Sequence, residues 1–133
     1  MTQSAQILAA LRDIKACLQR RPSLDIPPLW VRRASLGFEG FKSWTDAYKI
    51  LCDYYGIREL SATVRPNEVP KGAVACYVRI PPHVLSKEPT VSHETGVHEF
   101  FHHLYAEAGC TYDKAPSEAM TRAYVRTFLE GVE

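Results

Sequence analysis

His98, Glu99 and His102 are the residues of this chain best placed to do chemistry together. They stand in the run His98-Glu99-Phe100-Phe101-His102, which has the form H-E-x-x-H. On a helix, residues four apart lie on one face, one above the other. Both imidazoles can therefore address a single ion. Glu99 follows the first histidine, about 100° further round the helix. That turn sets its carboxylate beside the ion rather than on it, close to a water there. Two ligands and a base are the parts needed for metal-assisted hydrolysis. With five histidines in 133 residues, such a pattern is uncommon by chance.

The chemistry needs a helix, and the flanking residues predict one over about 93–107. Ser92 is a candidate N-cap and Gly109 a candidate stop. Val97, Phe100, Phe101, Leu104, Tyr105 and Ala108 recur at spacings of three and four, a stripe that faces a core. His93 and His103 fall off the metal face and read as solvent-facing or as supports for a ligand. Glu94 stands one turn before His98, either as such a support or as a first-turn carboxylate that suits the helix dipole.

A catalytic zinc takes three protein ligands and leaves one position open. An H-x-x-G-x-x-H continuation is excluded, because Tyr105 and Ala108 occupy the places of its glycine and last histidine. Glu118 is one candidate third ligand, in the first turn of a helix read over Pro116–Leu129. In that helix Ala119, Ala123 and Val125 suit close packing. Asp113, in the loop Gly109-Cys110-Thr111-Tyr112-Asp113, is the other, and an aspartate ligand there would resemble the aspzincins. Each has an ordinary alternative: Glu118 as a carboxylate complementing the helix dipole, Asp113 as a turn or capping residue. A donor for a developing oxyanion is offered by Tyr112 and Tyr124, with Arg122 and His103 also near in sequence.

The motif His98-Glu99-x-x-His102 followed by Glu118-Ala119-x-x-x-Ala123 resembles the gluzincin metallopeptidases, and within them the minigluzincins and the small ImmA/IrrE-type peptidases. The resemblance covers about residues 73–130. It implies Zn²⁺ held by His98, His102 and Glu118, Glu99 as general base, and a peptide or protein substrate. It also implies a strand ahead of the active-site helix, a place that Ala73–Pro82 fits. Substrate would add to that strand's edge, with Val78 or Ile80 as the expected edge positions.

Composition bounds the rest. The chain has the length of one domain, 1–133, with 46% hydrophobic and 23% charged residues. A net charge of +1 offers no electrostatic case for nucleic acid or an acidic membrane. No window reads as a signal peptide or a membrane span. Cys17, Cys52, Cys76 and Cys110 are widely spaced and read as reduced thiols in a cytoplasmic protein.

The expected architecture is α+β, a small twisted sheet packed on helices. A first amphipathic helix is read over about 4–20, and Val31–Phe41 as the place of a short strand. A second helix opens at Ser43, with Asp46 completing a capping box, and ends at Gly56. Leu60–Val64 and Ala73–Ile80 read as strands, forming a hairpin or two edges of an antiparallel sheet. Besides an active peptidase, the reading admits a latent or non-catalytic zinc-binding module of the same fold, blocked by its own N-terminal helix or by self-association.

Overall fold

A computed structural model describes residues 24–37, 43–109 and 115–132. The expected helix over 4–20, together with Cys17, Cys110, Tyr112 and Asp113, lies outside the described residues. The described residues form a small α+β fold of four α-helices and a three-stranded mixed sheet.

The first helix, α1, spans Leu29–Leu36, where a strand was expected. Its buried residues are Val31, Ser35 and Leu36, a helical spacing. Arg32 and Arg33 interrupt the apolar pattern because they are used elsewhere. The Arg32 guanidinium donates to the carbonyls of Thr127, Phe128 and Glu130 at 3.3, 2.9 and 2.6 Å, and Arg33 donates to that of Gly131.

Helix α2 spans Trp44–Tyr55 and forms as its caps predict. The Ser43 hydroxyl accepts from the Asp46 amide at 3.2 Å, and Gly56 ends the helix at φ 68°. Trp44, Ala47, Tyr48, Leu51 and Cys52 are its buried face.

The sheet differs from the expected one. Strand β1 (Ser61–Val64) and strand β2 (Ala75–Arg79) are both edges, but a third strand, β3 (Pro82–Ser86), lies between them. β3 runs antiparallel to β2 and parallel to β1. Pro82 at its start, Pro81 just ahead of it and a short apolar core hid it, since proline reads as a break in a strand pattern. The register opposes Pro82 to Arg79, and Lys87 donates to the Val74 carbonyl. Alternation along an antiparallel pair then points the backbone of Cys76 and Val78 at β3, and that of Ala75, Tyr77 and Arg79 away from it. The outward positions are thus the odd-numbered ones, and not Val78 or Ile80.

Helix α3 (His93–Gly109) carries the H-E-x-x-H motif and packs on β2 and on helix α4 (Glu118–Leu129). Ser92 caps α3 by accepting from the Thr95 amide at 3.1 Å. Val97, Phe100, Phe101 and Leu104 are at most 1% exposed and form the centre of the core. Ser117 caps α4, whose buried face is Thr121, Tyr124, Val125 and Phe128, while Ala119 and Ala123 are exposed. No helix among the described residues is long and apolar enough to cross a membrane.

Candidate metal centre

The helical spacing of His98 and His102 brings their imidazoles together. Their Nε2 atoms are 3.2 Å apart, and the rings meet edge to face at 4.9 Å. At this separation one Nε2–H can bond to the other ring, or both lone pairs can converge on one ion. Two imidazole nitrogens held tetrahedrally by one zinc lie about 3.3 Å apart. The pair therefore fits two corners of a zinc site with little movement. Burial, and after it the charge of His98, holds the His102 pKa below its ordinary value. That favours the neutral imidazole a metal requires.

Glu99 is 8% exposed, and burial raises its pKa from 4.5 to about 7. A carboxyl group with that value is matched to taking and returning a proton near neutral pH. It opens on a cleft of about 240 Å³ whose other walls are Ala75, Cys76, Tyr77 and His102. Glu99, the general base expected from the motif, thus borders the same cavity as His102 and the edge strand β2.

The expected third ligand is not gathered with them. Among the described residues, no three His, Cys, Asp or Glu side chains form a group that could hold a metal ion. Glu118 is in the first turn of α4, as expected, but its carboxylate is ion-paired with Arg122. Arg122 in turn lines a pocket of about 410 Å³ beside His98, with Glu94, Val125, Arg126, Leu129 and Glu130. Glu118 and Arg122 stand one turn apart on α4, and of the two only Arg122 lines the pocket that His98 borders. Glu94 is exposed at that pocket.

Tyr124 does not sit where an oxyanion donor is needed. It is 5% exposed and stacks on Phe101 at 4.4 Å. Its hydroxyl lies 2.9 Å from that of Tyr55, which donates to the Asp25 carbonyl at 2.7 Å. A carbonyl only accepts, so Tyr124 donates to Tyr55. Its proton is used in the core, and burial raises its pKa well above the ordinary value. Tyr124 is a packing residue.

Two residues complete the surroundings: His103, read from the sequence as solvent-facing or as a support, and Tyr77, which sequence reasoning missed. His103 does not face solvent: it is fully buried, with burial lowering its pKa. Its Nε2 lies 2.7 Å from the Arg58 carbonyl and its Nδ1 2.9 Å from the Tyr77 hydroxyl. Tyr77, on β2, also lies parallel to His102, with ring centres 6.5 Å apart and planes 8° from parallel. Its alternation with Cys76 along a strand was legible, but its partner on a distant helix was not.

Comparison with protein-family models, with curated proteins and with solved structures finds no match for this chain.

Proposed function

We propose that this chain is a zinc metallopeptidase. The observation that carries the reading is the His98–His102 pair, 3.2 Å between Nε2 atoms, with buried Glu99 opening on the adjoining cleft. His98 and His102 would hold the ion, with Glu118 as third ligand once it leaves Arg122. Zn²⁺ there supplies a Lewis acid that brings the pKa of water toward neutrality. Glu99 takes the proton of the attacking water and passes it to the leaving amine.

Substrate placement follows from the sheet. The Thr45 hydroxyl accepts from the Ala62 amide and donates to the Ala62 carbonyl, so α2 covers that part of the β1 edge. β2 is the edge that borders Glu99, and its register turns the backbone of Ala75 away from β3. An extended peptide added there passes over the base. The pocket beside His98, floored by Val125 and Leu129, suits a substrate side chain.

The test is metal analysis combined with hydrolysis of an unstructured protein such as casein. Wild type should carry about one zinc per chain. Glu99→Gln should keep that zinc while hydrolysis falls by about 100-fold or more. A chain that takes up no zinc after reconstitution is not a zinc peptidase.

The Glu118–Arg122 pair favours a second reading, a latent or non-catalytic zinc module, since among the described residues it leaves the histidines one donor short. Zinc retention with no hydrolysis by wild type would select it.

A further inference from the structure

We infer that Tyr77 is a positioning residue for the histidine pair, acting through His103; the inference rests on the metal reading above. His103 is fully buried, and its Nε2 lies 2.7 Å from the Arg58 carbonyl, which can only accept. The ring proton is therefore on Nε2, and Nδ1 is an acceptor. The Tyr77 hydroxyl, 2.9 Å from Nδ1, must donate to it. Both bonds are directional, and neither can reverse without leaving a buried group unsatisfied.

This chain of bonds ties together three parts of the fold next to the site. Tyr77 belongs to β2, His103 to α3, and Arg58 to the connection between α2 and β1. The Arg58 side chain closes it by pairing with Glu107 on α3 at 2.7 Å. His103 directly follows the ligand His102. The Tyr77 ring, fixed at its hydroxyl end, lies parallel to the His102 imidazole and walls the cleft that Glu99 opens on. Tyr77 thereby ties β2 to α3 one residue past His102, with its ring set parallel to the His102 imidazole on the side of the cleft.

The test compares Tyr77→Phe with Tyr55→Phe, which removes a partly buried tyrosine hydroxyl from α2, one that meets Tyr124 and the Asp25 carbonyl and neither histidine of the pair. Zinc affinity is read by competition with a chromophoric chelator, the site geometry by the visible spectrum of the Co²⁺-loaded protein, and folding by thermal melts. Tyr77→Phe should weaken zinc by about 10- to 100-fold, the range for residues that orient metal ligands, and shift the Co²⁺ bands. Tyr55→Phe should lower the melting temperature comparably and leave both unchanged. Equal zinc affinity in Tyr77→Phe and wild type, or equal losses in the two variants, overturns the inference. Ring nitrogen chemical shifts, measured without metal, separate it from the metal reading. In wild type they should report His103 protonated on Nε2, and in Tyr77→Phe the His102 signals should shift. Unshifted His102 signals overturn the inference whether or not zinc binds. Shifted signals in a wild type that binds no zinc uphold the positioning and remove the peptidase reading alone.

Discussion

The indole of Trp44 occupies the space that a side chain at position 96 would need. A Cβ on Gly96 would lie 2.1 Å from the Trp44 ring. Gly96 also accepts from the buried Tyr48 hydroxyl at 2.8 Å, through its carbonyl. Helix α2 is thus seated against α3 one half-turn before His98, and the seat depends on the missing side chain. Alanine at a helix interior ordinarily gains about 1 kcal/mol over glycine. Here Gly96→Ala should instead destabilise by about 1–3 kcal/mol, the usual cost of overpacking. Urea denaturation checks this, and adding Trp44→Leu should recover part of the loss. A stabilised Gly96→Ala would mean that Trp44 is seated elsewhere.

Glu99 makes stability depend on pH in a direction opposite to most carboxylates. Burial raises its pKa from 4.5 to about 7, so between those values the folded chain holds a proton that the unfolded chain has released. Its contribution is full below pH 4.5 and is lost as pH rises through about 7. His102 and His103 are shifted the other way by burial, and their contribution is lost as pH falls below 6.5. Comparing Glu99→Gln with wild type in chelator isolates the carboxyl. The two should be similar near pH 5, and the variant more stable by up to about 3 kcal/mol near pH 8. Parallel pH–stability curves would mean that Glu99 is solvated.

The exposed Glu118–Arg122 pair is worth at most about 1 kcal/mol, so a metal can displace the guanidinium readily. Arg122→Gln should therefore tighten zinc binding, and Glu118→Gln should weaken it far more than Asp113→Asn. Chelator competition on the four proteins decides. Zinc affinity unchanged in Glu118→Gln and lost in Asp113→Asn would move the third ligand into the connection between α3 and α4.

Arg32 closes the end of α4 from another helix. Its guanidinium reaches three carbonyls there, and its Nε donates to the Pro27 carbonyl at 2.9 Å. Arg32→Ala should cost about 2 kcal/mol, as expected for charged hydrogen bonds of which those to Phe128 and Pro27 are partly buried. Arg32→Lys should restore only part, because an ammonium cannot span the same fork. A thermal shift of zero for Arg32→Ala would show that water serves those carbonyls equally well.

Features that depend on residues three or four apart were legible in the chain itself. Helix α3, its Ser92 cap, the buried stripe from Val97 to Leu104 and the approach of His98 to His102 all follow from helical geometry, which needs no distant partner. The same holds for the Ser43 and Gly56 caps of α2. Contacts across the chain had no such signature. β3 was hidden because its pairing comes from β1 and β2 on either side, which outweighs the proline signals. α1 was hidden because Arg32 and Arg33 look like a solvent-facing break until α4 brings them carbonyls. Tyr124 was misjudged because a tyrosine near a site in sequence is distinguished from a core tyrosine only by what its hydroxyl meets, here Tyr55, 69 residues away. For His103 the sequence left two places open, solvent or support of a ligand, and its burial against Tyr77 and Arg58 removes the first. Local spacing determined which donors could share a face. Long-range packing decided which of them keep their protons, which are buried, and which edge of the sheet lies beside Glu99. The physical reason is that a buried polar group must find its partner wherever the fold supplies one.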